Sequence, residues 1–108
     1  MKIKMELIPK LLTIEEPEIW YDSGHGRFIY QYVLQDCLNF CDLTDEESAD
    51  IIKQISAINR QEENLEICIY YMEQLERLFD EHLNHNGLYL GFNPDWADYG
   101  IYNFYKED

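Results

Sequence analysis

Apolar positions change their spacing along this chain, and the changes divide it into segments. Over residues 2–8, Ile3, Met5 and Leu7 alternate with polar neighbours, the period of a strand with one buried face. Pro9 is expected to end that strand, because it has no N–H to give to a ladder. Residues 10–26 carry no clean period. Pro17, Gly24 and Gly26 interrupt them, and Ile19-Trp20-Tyr21 alone has the composition of an extended piece.

From Arg27 the spacing becomes helical. Ile29, Val33, Cys37, Phe40 and Cys41 fall on one side, with Tyr30, Leu34 and Leu38 beside them. So wide an apolar stripe predicts a central helix. Thr44-Asp45-Glu46-Glu47 has the form of a capping box, in which a threonine hydroxyl and a glutamate three residues on each satisfy a backbone N–H. A second helix is expected from there through Ile52, Ile55 and Ile58, stopping near Asn59. A third should start between Gln61 and Asn64. Leu65, Cys68, Ile69, Met72, Leu75, Phe79 and Leu83 form its stripe, and Asn86-Gly87 is its natural stop.

Beyond that stop the pattern turns to strand formers, at residues 88–92 and again at residues 99–105. Asn93-Pro94-Asp95-Trp96-Ala97-Asp98 between them is turn chemistry, so a β-hairpin with a six-residue connection is expected. The predicted fold is α+β: about three helices packed with a small antiparallel sheet, made of the C-terminal hairpin with the N-terminal strand as candidate third member. No linker or repeat divides the chain. Its 108 residues suffice for one core, so residues 1–108 are read as a single compact domain.

Composition sharpens this picture. Apolar residues make up 46% and aromatics 15%, too many for a disordered acidic tail. Acidic residues number 22 against 8 basic ones, a formal charge of −14. Between Phe28 and Tyr105 only Lys53, Arg60 and Arg77 are basic, and the excess of carboxylates there opposes compaction. This sign excludes direct nucleic-acid binding and disfavours anionic membranes. No apolar run has the length of a membrane span, and Met1-Lys2-Ile3-Lys4-Met5-Glu6 lacks the apolar stretch of a signal peptide. Cys37, Cys41 and Cys68 are odd in number and lie within helical patterns, which points to a reducing, cytoplasmic setting.

Two acidic clusters carry the candidate chemistry. One is Asp42, Asp45, Glu46, Glu47 and Asp50. The other, Glu62, Glu63, Glu66, Glu73, Glu76, Asp80 and Glu81, runs along the third helix, where Glu62, Glu66, Glu73, Glu76 and Asp80 follow spacings of mostly three, four or seven and should lie near one stripe. The C-terminal segment adds Tyr89, Phe92, Trp96, Tyr99, Tyr102, Phe104 and Tyr105 beside Asp95 and Asp98. One hairpin cannot hide so many rings, since alternate residues face opposite sides. Rings beside carboxylates suit lysine and arginine. The expected partner-binding residues are therefore Glu62, Glu66, Glu73, Glu76, Asp80, Asp95, Trp96, Asp98, Tyr99 and Tyr102.

Other motifs fall short of a site. Asn93, Asp95 and Asp98 lack the ligand order of a calcium loop, and His82 and His85 with Glu81 lack a second ligand pair for zinc. Cys37 and Cys41, one helical turn apart, read as core filler. Ser23-Gly24-His25-Gly26-Arg27 has neither the spacing nor the lysine of a phosphate loop, and no partner base accompanies its histidine. No metal, cofactor or catalytic residue is expected. The expected function is a small acidic inhibitor, not an enzyme. It would bind a basic protein, either as an immunity protein against a nuclease-type toxin or as a phage anti-defence protein that mimics nucleic acid. The alternatives are a small enzyme or ligand-binding protein using His25 and Arg27, or a subunit of a larger assembly.

Overall fold

The computed structural model describes residues 1–26, 28–93 and 98–104, with His25 described as backbone only. In chain order the elements are β1 (Lys2–Ile3), α1 (Ile8–Thr13), β2 (Glu18–Tyr21), α2 (Phe28–Phe40), β3 (Cys41–Asp42), α3 (Asp45–Asn59), α4 (Leu65–Leu83), β4 (Leu88–Phe92) and β5 (Tyr99–Asn103). Short 3-10 turns lie at Met5–Leu7, Ser23–His25 and Asn84–Asn86. Among the described residues this is an α+β fold of four helices with two small antiparallel sheets. None of these helices is long and apolar enough to cross a membrane.

Helix α2 is central, as its wide stripe predicts. Ile29, Val33, Leu34 and Cys37 are buried, and the helix packs on both α3 and α4. The capping box forms in full: Glu47 N–H donates to Thr44 Oγ1 at 3.1 Å, and Thr44 N–H donates to Glu47 Oε1 at 2.9 Å. A box of this kind contributes about 1 kcal/mol. At the other end of α3, the buried Gln54 amide oxygen accepts the Asn64 N–H at 2.8 Å and ties the two helices at their junction. Asn64 in turn caps α4, accepting from Glu66 N–H at 3.0 Å. Cys68, Tyr71, Met72, Leu75, Phe79 and Leu83 form the buried side of α4. After the 3-10 turn at its end, Gly87 takes a left-handed φ of 74°, which glycine adopts without a Cβ penalty.

Two expectations about the N-terminal third are corrected. The first strand covers only Lys2–Ile3, and it pairs with β3 in a separate two-stranded sheet, not with the hairpin. Pro9 does not end a strand but lies in the first turn of α1, where its missing N–H breaks no bond. The third member of the hairpin sheet is β2, which contains Ile19-Trp20-Tyr21. The order is β2-β5-β4, with β5 in the middle.

The hairpin pairs Leu90 with Ile101, Gly91 with Gly100 and Phe92 with Tyr99. Leu88, Leu90, Tyr99 and Ile101 face inward, and β4 lies against α4. On the far edge of β4 the Leu90 N–H, unused by β5, donates to Asp80 Oδ1 at 2.9 Å. A side chain from α4 thus closes part of an edge that would otherwise be open to another strand. On the opposite side β2 is irregular. Its register slips between Ile19 and Tyr21, leaving Trp20 as the bulged residue.

The slip brings the β2 backbone against Gly100. A Cβ there would overlap the Glu18 carbonyl oxygen and lie 2.9 Å from Trp20 N, both backbone atoms with little room to yield. At Gly91 a Cβ would meet the Tyr89 ring at 3.2 Å and the Glu76 carboxylate at 3.9 Å, side-chain atoms with no backbone among them. Gly100→Ala is therefore expected to cost about 2–3 kcal/mol, as overpacking does, and Gly91→Ala less than about 1 kcal/mol. Urea-unfolding midpoints of the two variants check this; equal effects would refute the close approach at Gly100.

Candidate functional site

The predicted acidic stripe separates into two parts. Glu62 precedes α4, in the turn after α3, where it pairs with Arg60 at 2.9 Å. Glu66 and Glu73 are exposed on the outer side of α4. Tyr70, 55% exposed, stands between them, and Arg77 follows one turn on, bonded to the Gln74 amide oxygen. Spacings of four, three and four put Glu66, Tyr70, Glu73 and Arg77 on one line. Tyr70 was not among the expected binding residues, although the same helical spacing places it between two carboxylates.

Glu76 and Asp80 leave this outer line. They sit half-buried on the flank of α4 that carries the hairpin. Asp80 accepts the Leu90 N–H, and burial raises its pKa. Burial also pushes the Glu76 carboxyl up to about 7, while its neighbour Tyr99 pulls the other way. Both acids belong to the contact between helix and sheet.

The expected display of aromatic rings by the hairpin is corrected at two positions. Tyr99 is 0% and Tyr102 9% exposed. Both lie on β5, which has a neighbouring strand on each side and is covered accordingly. Their hydroxyls are buried without a hydrogen bond of ordinary geometry among the described residues. Phe92 and Phe104 remain exposed. Asp98 is half-buried and accepts the Ser23 N–H, joining the hairpin connection to the loop after β2. Asp95 and Trp96 lie outside the described residues, as do Arg27 and the His25 side chain. In that loop Asp22 accepts the Gly24 N–H at 3.0 Å, which closes the 3-10 turn.

In the first cluster Asp42, Asp45, Glu46 and Asp50 are exposed, and Glu47 is half-buried. Glu47 also receives the N-terminal amine at 3.2 Å, and Asp50 accepts from the Tyr71 hydroxyl at 3.2 Å. Among the described residues two ion pairs form, Met1–Glu47 and Arg60–Glu62. The exposed Asp42, Asp45, Glu46, Glu66 and Glu73 thus form no ion pair among the described residues. No three His, Cys, Asp or Glu side chains gather as a metal set among the described residues. Cys37, Cys41 and Cys68 are all buried thiols.

A second feature lies between β2 and α2, where sequence reasoning had placed nothing. Glu18, Ile19, Trp20, Tyr21, Asp36 and Phe40 line an open cleft of about 310 Å³. Asp36 occupies a position that the helical stripe assigns to the core, between Val33 and Phe40, and is only 8% exposed. Its Oδ2 accepts from the Tyr21 hydroxyl at 2.7 Å. Burial pushes the carboxyl up to about 6, against the lowering effect of that bond. Tyr21 stacks on Tyr32 with centroids 5.1 Å apart. The bulged Trp20 meets Phe79 edge-on at 5.6 Å and Phe40 at 6.1 Å, and its Nε1–H donates to Glu18 Oε1 at 3.0 Å. The signal in the sequence was the carboxylate itself, set inside an apolar stripe.

Buried acids leave a mark on stability. Asp36 and Glu76 both titrate higher in the folded protein than the ordinary 3.8 and 4.5. The fold therefore favours their protonated forms. That contribution is full below about pH 4 and is lost as pH rises through 6 and 7. The urea midpoint should accordingly rise as pH falls from 8 to 5. Asp36→Asn keeps an acceptor for Tyr21 and removes the buried charge. It is expected to stabilise the protein at pH 8 by about 1–2 kcal/mol after allowance for solvent, and to flatten the pH profile. A variant no more stable than the parent at pH 8 would refute this account of Asp36.

No protein-family model, no curated protein and no solved structure matches this chain, so its function is argued from its own residues.

Proposed function

We propose that this chain is a small acidic inhibitor that binds a basic surface of another protein, in the manner of an immunity protein that neutralises a nuclease-type toxin. The observation that carries this reading is the outer line of α4, where exposed Tyr70 stands between exposed Glu66 and Glu73. Unpaired carboxylates give a long-range field that speeds encounter with a positive surface and rejects negative ones. A half-exposed tyrosine beside them adds contact area and a face for a lysine or arginine.

A protein surface suits this arrangement better than imitation of a duplex. Seven residues separate Glu66 from Glu73, about 10 Å of helix rise. B-DNA carries one charge per about 1.7 Å of axis. The α4 line is far sparser than that, so an anti-defence protein acting as a nucleic-acid mimic is the weaker reading. A partner would also relieve the self-repulsion of a chain with a formal charge of −14.

Immobilised protein exposed to lysate at low salt should retain a basic protein that high salt releases. Against that partner, joint replacement Asp45→Asn, Glu46→Gln, Glu66→Gln and Glu73→Gln should slow association about tenfold while the fold is kept. Tyr70→Ala should act mainly on dissociation, as loss of a contact ring does. An acidic or neutral partner, or an association rate indifferent to both salt and the fourfold change, would overturn the proposal.

A further inference from the structure

The cleft between β2 and α2 has a chemistry that long-range attraction does not require. Trp20, Tyr21 and Phe40 supply its rings, Asp36 and Glu18 supply carboxylates, and among the described residues none that lines it is basic. Asp36 is the unusual member. One oxygen is held by Tyr21, and the other accepts no hydrogen bond from any described residue, although the residue opens on the cleft. A carboxylate so removed from water, with no cation beside it among the described residues, is a costly thing for the free protein to hold. Glu18 at the rim, exposed, is fixed through one oxygen by the Trp20 indole.

Size narrows what fits. About 310 Å³ is at the lower end for small-molecule pockets, enough for one long side chain and too little for a cofactor. Rings and carboxylates together select a cation. Among cations a guanidinium is favoured over an ammonium. It is flat, weakly hydrated, stacks on aromatic faces, and offers several N–H donors in fixed directions.

We infer that this cleft anchors an arginine side chain of the basic partner, its guanidinium stacked against the cleft's rings and donating to the free oxygen of Asp36 and to Glu18. This rests on the reading of the chain as a binder of basic proteins. It adds the point at which one residue of that partner is held. The acidic line of α4 brings the partner in, and the cleft fixes its register.

The test uses N-acetylargininamide as probe with the full chain, read by two-dimensional proton–nitrogen NMR. The Trp20 indole signal is identified against a Trp96→Phe variant. Saturable shifts are expected at Trp20, Asp36 and Phe40. The lysine analogue should bind about threefold more weakly, and the citrulline analogue, which has the shape without the charge, should not bind. Asp36→Asn, which leaves the Tyr21 bond in place, should weaken the arginine probe about tenfold. Glu66→Gln with Glu73→Gln should leave it unchanged. Shifts that never saturate, that citrulline reproduces, or that survive Asp36→Asn overturn the anchor. If the α4 variants slow association while the cleft ignores the probe, the anchor fails and the acidic-surface reading stands. If the probe saturates the cleft while association ignores α4, the anchor stands and that reading fails.

Discussion

The central place of β5, between β2 on one edge and β4 on the other, decides what the rest of the molecule shows to water. Flanked on both sides, β5 keeps Tyr99, Ile101 and Tyr102 inside. Its pairing with β2 crowds Gly100, and the register slip that accompanies the crowding sends Trp20 towards α2 and α4. That displacement builds one wall of the Asp36 cleft. Through β4 the same sheet covers a flank of α4 and half-buries Glu76 and Asp80. One three-stranded arrangement therefore sets the burial of two chain segments and the fate of three carboxylates.

Seen this way, the negative charge is not one pool. Glu47 works for the fold, closing a capping box and holding the N-terminal amine, and its pKa is lowered accordingly. Asp80 closes an edge hydrogen bond. Asp36 and Glu76 are buried at a cost to stability at neutral pH. The exposed carboxylates on the outer line of α4 and in the first turn of α3, Glu66, Glu73, Asp45 and Glu46, are not so employed among the described residues. Separating these groups matters more than the total, because a carboxylate bonded to its own backbone contributes little to recognition.

What could be read from the sequence was what local chemistry determines. The capping box at Thr44, the end of α3 at Asn59, the start of α4 after Asn64 and the left-handed Gly87 are all set by residues within a few positions of one another. What escaped was non-local. Nothing near residues 18–21 announces that they pair with a strand some eighty residues on, nor that Tyr99, expected at the surface, packs against the Trp20 they carry and is fully buried. Pro9 misled for a related reason. Proline is acceptable at a strand end and in a first helical turn alike, and Leu11 packing into the core favours the helix. The outer line on α4 was half legible. Helical spacing gave the direction of Glu66 and Glu73, but the sheet that removes Glu76 and Asp80 from that line lies outside the helix.

The buried acids and the surplus surface charge act in the same direction. Each makes the folded chain less stable as pH rises through the carboxylate range, and each would be relieved by the proposed basic partner. Whatever binds only the folded state stabilises it by mass action. A basic protein that covers the outer carboxylates lowers self-repulsion, and a cation beside Asp36 allows that group to ionise without a solvent shell. On the proposed function, stability and association are two readings of one electrostatic imbalance. On that view the free protein is in a partly unsatisfied state. Substitutions that relieve the imbalance within the chain should firm the fold at the expense of binding, which is the opposite of what a carboxylate serving packing alone would do.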